Sequence, residues 1–351
     1  VKKAAAKPAA ASPVSPVASP KAKASGKAPT KAPGKAKSRK KSVRRASTTG
    51  IRLLQLAPQG QVTDPVFEAC QPQPGAWEFS AVLDALFATQ RDASVQKSKL
   101  WGVLTLDFTP RTGLSGDELL KVIAANPGFD LYYASAHPEV EAAYHNPWRS
   151  PEVTHPGFVE LSRRFLKAAG LSDAPVDAFS DTALFATGHL MVATPEIWSQ
   201  YLAFVDMVFA KAKKNLSPAD HDLLFKEASV KGRMTHLSLI VARLLSVFLM
   251  LKGSVFKAYK IPLPAQERVL NPHLLFLRDL KDMGLAQKSR WHLAAWLNYR
   301  GLYLAHVMGK AWVLKHINAI TPTDVHMAMP VPQIVNTYRR AVQALPQAGT
   351  V

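Results

Sequence analysis

A single cysteine, Cys70, stands in 351 residues, so no internal disulfide can form and the chain fits a reducing compartment. Cysteine pairs for zinc are excluded with it, and no His-Glu-x-x-His occurs. Glycine-rich phosphate loops are also missing. No Gly-x-Gly-x-x-Gly follows a strand candidate, and there is no P-loop Gly-Lys-Ser/Thr. Gly113-Leu114-Ser115-Gly116 is one residue short of a nucleophile elbow. These gaps disfavour P-loop nucleotidases, the common Rossmann dehydrogenases, serine hydrolases and zinc proteases.

Acidic residues are absent from the first 50 positions, which hold 14 of the 44 Lys and Arg. The remainder has 30 bases against 25 acids, so the net charge of +19 and the pI near 10.0 describe mainly the tail. The N-terminus also lacks an apolar h-region, so no secretion signal is expected and the expected location is cytoplasmic. A long unbroken hydrophobic run is missing as well. The longest, residues 234–251, is interrupted by His236 and Arg243. An Arg in mid-span costs at least ~2.5 kcal/mol on insertion scales, so a buried core helix is expected rather than a membrane span.

What is present divides into three parts. Residues 1–49 repeat Lys, Ala, Pro and Ser without an aromatic side chain, a composition that cannot offset its ordering entropy and is expected to be disordered. This tail resembles the Lys/Ala/Pro-rich tails of histone H1-like bacterial proteins. It would contact nucleic acid or an anionic membrane surface by counterion release, or act only as a solubilising extension. Residues 50–215 read as an α/β domain. Strand candidates at 51–57, 100–106 and 129–134 alternate with helices, the second opened by Ser115, Asp117 and Glu118. Such alternation argues for a mostly parallel, Rossmann-like sheet with right-handed crossovers. The first helix carries Trp77, Phe79, Val82, Leu83, Leu86 and Phe87 at helical spacing, and residues 58–75 read as loop. A helix over 158–169 stops at Gly170, and 183–194 suggests one or two short strands broken at Gly188. Thr194-Pro195 and Ser217-Pro218 supply helix starts. Residues 216–351 read as almost wholly helical, with helices at 244–251, 274–280, 291–312 and 334–345.

The stretch 128–158 draws attention because an apolar strand runs into a segment crowded with His, Tyr, Trp, Asn and Pro. Polar and aromatic density just past a buried strand is what a cleft at the carboxyl edge of a parallel sheet requires.

A series of short motifs resembles bacterial glycosyltransferases of capsule and O-antigen synthesis. The pieces are Trp101-Gly102-Val103-Leu104, Thr112-Gly113-Leu114-Ser115, Asp130-Leu131-Tyr132-Tyr133 with Ala134-Ser135-Ala136, Asn146-Pro147-Trp148 and His155-Pro156-Gly157-Phe158. Gly188-His189, Pro195-Glu196-Ile197-Trp198 and the run from Arg243 to Leu249 complete the series. The resemblance implies a GT-A-like, nucleotide-sugar-binding sheet and transfer of sugar to a saccharide or lipid-linked acceptor. It would place the protein in the cytoplasm, peripheral at the inner membrane. Two departures stand out. The Asp-x-Asp that holds Mn²⁺ or Mg²⁺ in GT-A enzymes is reduced here to Asp130 alone, with Asp107 as another single carboxylate. A Glu that relatives tend to carry before Arg243 is Ala242 here.

Each candidate residue has a structural and a functional reading. Asp130 borders an apolar strand, where an unpaired carboxylate is costly. It is either a site residue or a strand-edge cap. Asp181 is the candidate general base or else part of a surface turn, and His189 frames the same run. His155 is a catalytic candidate or a helix-entry cap. Asp107, Arg111, His137 and Arg149 could hold the donor, with the cations neutralising its diphosphate. Trp148, in a Pro-bounded loop, is the better stacking candidate, whereas Trp198 lies on an apolar stripe and reads as core. Arg243, inside an apolar helix, needs a phosphate, a carboxylate or a polar cavity. Two rival readings accompany the transferase. One is a nucleic-acid-binding protein that acts through its tail, the other a degenerate transferase fold that only binds.

Overall fold

The alternating elements assemble into a six-stranded mixed sheet with helices on both faces. The computed structural model describes residues 50–71, 80–225, 235–263, 270–321, 339–340 and 342–344, all within one compact unit. The expectations for the 1–49 tail, for Trp77 and Phe79, for Met234 and for most of the 334–345 helix lie outside the described residues.

The strands are β1 (Ile51–Leu56), β2 (Glu68–Cys70), β3 (Leu100–Thr105), β4 (Leu131–Tyr133), β5 (Met191–Ala193) and β6 (Ala258–Lys260). Their order is β2-β1-β3-β5-β4-β6. β2, β1 and β3 run parallel to one another, as do β4 and β6, and β5 between the two groups is antiparallel to both neighbours. An α/β sheet is therefore present, with one reversed strand. Side chains alternate between two cores. Leu54, Leu56, Trp101, Val103, Leu131, Tyr133, Met191 and Ala193 face one, and Leu53, Leu100, Leu104, Tyr132 and Val192 face the other.

The first core is covered by α1 (Ala81–Gln90), α6 (Phe158–Ala168), α8 (Pro195–Asn215), α10 (His236–Val241) and α11 (Leu244–Lys252). The second is covered by α2 (Phe108–Thr112) and α3 (Gly116–Ala125). Helix starts follow the local chemistry. Ser115 and Glu118 form a capping box on α3, and the Thr194 hydroxyl accepts the Ile197 N–H in front of Pro195. Gly170, at φ +74°, follows the end of α6. The remaining helices are α4 (Pro138–Ala143), α5 (Arg149–Thr154), α7 (Ala174–Asp177), α9 (Pro218–Phe225), α12 (Pro272–Ala286), α13 (Arg290–Met308) and α14 (Lys310–Ile320). α12 and α13 pack on α4 around Leu277, Trp296 and Phe179, a cluster separate from the two sheet cores.

Five expectations change. β2 lies inside the stretch read as loop, and β6 inside the region read as helical. Both are three-residue strands, too short to show a period of two. The apolar run is largely buried over residues 237–249 but breaks between α10 and α11, where Arg243 turns back to donate to the Leu239 carbonyl at 2.6 Å. The 291–312 helix divides at Gly309, whose φ of +87° lies where other residues are strained. Before β5, residues 183–190 form turns rather than a strand.

Candidate functional site

β1 is the point where the strand order switches. From β1 the chain moves to β2 on one side, and β3 then lies on the other. In open α/β sheets ligands bind in the crevice at the carboxyl ends of strands flanking such a switch. Here that crevice lies beyond Leu56 and Thr105. Asp107 and Arg111 stand at it. The Asp107 carboxylate accepts from the Thr105 hydroxyl and lies 2.6 Å from Arg111 Nε, with both side chains about half exposed. The pair is held by the helical turn of α2, since Arg111 N–H donates to the Asp107 carbonyl.

The far side of the crevice is laced by a polar network. Gln55 is fully buried at the end of β1. Its amide donates to the Thr63 hydroxyl at 2.8 Å and accepts the Thr63 N–H at 2.7 Å. Asp64 then accepts the Gly116 N–H at the first turn of α3. The segment joining β1 to β2 is thereby fixed against the amino end of α3, beside Asp107.

Two strands further along, β4 ends at Tyr133, and Ser135 and His137 follow. Across β5 the carboxyl end of β4 is two strand spacings, roughly 10 Å, from that of β3. His137 is exposed, and its Nδ1 lies 3.4 Å from the Glu139 carboxylate. Because β5 is reversed, the segment before it reaches the same edge. Ser135 and Thr187 hydroxyls meet there at 3.1 Å. Asp181 belongs to this segment, but one carboxylate oxygen is occupied by the Leu184 N–H at 2.7 Å, so it closes a local turn. His189 Nε2 is buried, and burial pushes its imidazole down to about 4.

Asp130 lies elsewhere. It precedes β4 and so stands at the amino edge, the opposite end of the sheet. Its carboxylate accepts the Lys257 N–H, its N–H donates to the Lys257 carbonyl, and its carbonyl accepts from Thr194. The strand-edge reading holds and the catalytic one is withdrawn. Asp130 and Asp107, at opposite edges, cannot share a cation, and no group of three or more His, Cys, Asp or Glu among the described residues is placed to hold one. The two carboxylates therefore do not reproduce the Asp-x-Asp pair of GT-A enzymes.

Trp148 and Arg149 are also corrected. Trp148 is fully buried and stacks on Phe158 with centroids 6.3 Å apart, so its ring is core. Arg149 is buried against the Asp177 carboxylate, which Arg163 also holds. Arg243 is buried 5.4 Å over the Phe158 ring and donates to the Pro147 carbonyl at 2.6 Å. Burial pushes its guanidinium down to about 9, so it stays charged at neutral pH. Carbonyl dipoles and an aromatic face do the work that a phosphate or carboxylate was expected to do. His155 ends α5, where its carbonyl accepts the Phe158 N–H and its Nδ1 meets the Thr154 hydroxyl at 2.7 Å. Its ring lies 6.1 Å from that of His236, and none of the other candidates is among these neighbours.

Several of these motif pieces meet in space as packing. Gly188 N–H donates to the Ala242 carbonyl, and Ser246 bonds both backbone groups of Ala186. Trp101 and Trp198 stack at 4.6 Å, and the Trp198 indole N–H donates to the Trp101 carbonyl, so Trp198 is core as read.

One buried cluster escaped the sequence reading. Lys260, at the carboxyl end of β6, donates to Glu141 at 2.7 Å and to the carbonyls of Thr182 and Phe185. Lys281 of α12, fully buried, donates to the carbonyls of Glu141 and Tyr144, and burial pushes its ammonium down to about 8. Asp282 accepts the Thr182 N–H at 2.8 Å. The cluster joins α12 to the carboxyl edge. Its signal was present: Lys281 lies on the Leu274, Leu277 stripe at helical spacing.

Among the described residues, no helix is long and apolar enough to cross a membrane. No family model, curated protein or solved structure matches this chain.

Proposed function

We propose that the protein is a glycosyltransferase. It would move a sugar from a nucleotide-activated donor to a saccharide or lipid-linked acceptor, and its sheet would be a variant of the GT-A-like arrangement. The observation that carries this reading is the half-exposed Asp107–Arg111 pair at the carboxyl end of β3, beside the switch point of the sheet. On this reading Asp107 accepts hydroxyls of the donor and Arg111 faces its diphosphate. The guanidinium then stabilises the charge that develops on the leaving group. His137, with Glu139 to orient it, removes the proton of the acceptor hydroxyl as that oxygen attacks the anomeric carbon. Asp181 shapes the neighbouring turn and Lys260 anchors it.

The test is thermal denaturation with a panel of nucleotide sugars, with and without Mn²⁺. One donor is expected to stabilise the wild type, by about 2.7 kcal/mol at a hundredfold excess over Kd. Arg111→Ala and Asp107→Asn should keep the unliganded midpoint and lose that gain. A panel in which no donor stabilises the protein would remove this reading.

A further inference from the structure

The corner between α12 and α13 displays a tryptophan that the fold does not use. Trp291 is 82% exposed, although it sits in the first turn of a well-packed helix. The corner is built rather than loose. The Ser289 N–H donates to the Gly284 carbonyl at 2.8 Å, and the Lys288 N–H to Leu285 at 3.2 Å. Lys288 takes φ +50°, the one positive φ outside glycine among the described residues. The Ser289 hydroxyl caps α13 and meets His292 Nδ1 at 2.8 Å. A Cβ on Gly284 would stand 2.8 Å from Leu293 Cδ2, so the two helices touch at the corner itself. Leu293, 2% exposed, is thereby turned inward, while Trp291 in the same turn stays outward.

The charges nearest the ring in sequence have one sign. Lys288 and Arg290 precede Trp291 and are exposed, and residues 283–292 contain no acid. An exposed indole next to two cations on a rigid tip matches the interfacial zone of an anionic bilayer. There the ring sits at headgroup level and Lys and Arg meet the phosphates. We propose that this corner docks the protein on anionic phospholipid surfaces, with Trp291 entering the interface and Lys288 and Arg290 contacting headgroups. The docking stands independently of the transferase reading, because it rests on other residues and its test does not measure sugar transfer.

The experiment uses the full chain with phosphatidylcholine vesicles, with and without phosphatidylglycerol, carrying brominated acyl chains. Brominated chains quench only tryptophans that reach the bilayer. The basic tail contains no tryptophan, so its electrostatic binding alone produces no quenching. Trp101, Trp148, Trp198 and Trp296 are buried. Anionic vesicles are expected to quench the wild type. Trp291→Ala should bind about tenfold more weakly and lose that quenching, and Lys288→Glu with Arg290→Glu should reduce both. Equal quenching in Trp291→Ala would overturn the proposal, as would vesicle binding without quenching. Two other outcomes would also overturn it: quenching of Trp291 by single-stranded DNA but not by vesicles, or a Trp291→Ala change in oligomeric state with unchanged vesicle binding.

Discussion

His189 and Tyr201 lie side by side in the core, with ring centroids 6.5 Å apart, and His189 Nε2 and the Tyr201 hydroxyl are both buried without a hydrogen-bond partner among the described residues. Burial holds His189 near 4, below the ordinary 6.5. Between those values the unfolded chain binds a proton that the folded chain refuses. Stability is therefore full above about pH 6.5 and falls as the pH drops towards 4, by up to about 3 kcal/mol from this residue. His145 adds to the same loss, because burial first and then Arg149, Arg300 and Lys281 keep it neutral. Urea midpoints between pH 4 and 7 are expected to fall steeply for the wild type and less steeply for His189→Leu. An identical slope would show that His189 is not among the groups refusing the proton. Sequence did locate His189 at a strand entrance. Its desolvation comes from helices distant in the chain and left no local trace.

β3 and β5 pair through Trp101 and Ala193, and the approach depends on one residue. A Cβ on Gly102 would lie 2.5 Å from the Met191 carbonyl oxygen and 3.2 Å from Val192 Cα. Backbone cannot yield as a flexible side chain does. Gly102→Ala is therefore expected to separate the central strand pair and cost at least about 2 kcal/mol, read as a lower urea midpoint. An unchanged midpoint would mean that the strands shift freely. At this scale much was legible. The Ser115 and Thr194 caps, the stop at Gly170 and the 100–106 strand all carry local signals that the structure repeats. β2 and β6 were missed because three residues held by their neighbours show no pattern of their own.

The chain as a whole separates a basic tail from a body with 30 bases and 25 acids. Binding of the full chain to DNA or to anionic vesicles should fall steeply with salt, as counterion release requires. Deleting residues 1–49 removes 14 cations and should abolish most of the DNA binding while the nucleotide-sugar stabilisation survives. Retention of salt-dependent DNA binding by the body, without donor stabilisation, would favour a nucleic-acid-binding protein. The buried joint of Lys260, Glu141, Lys281 and Asp282 ties α12 to the sheet edge, so the helices beyond it are positioned by the same strands that bear the candidate site.

Composition and periodicity by themselves determined the uneven charge, the α/β alternation, the helix starts and the core character of Trp198. These depend on neighbours within a few residues, which a linear pattern records. Which edge of the sheet a residue reaches was decided only by the tertiary structure. Asp130 and His137 are seven residues apart, yet three residues of β4 carry them to opposite ends. Trp148 read as ligand-facing and became core against Phe158, and Arg243, for which a phosphate, a carboxylate or a polar cavity was expected, is held by the Pro147 carbonyl and the Phe158 ring. Asp107 and Arg111 came to stand by the strand switch because β3 returned to the other side of β1, a choice made by non-local pairing.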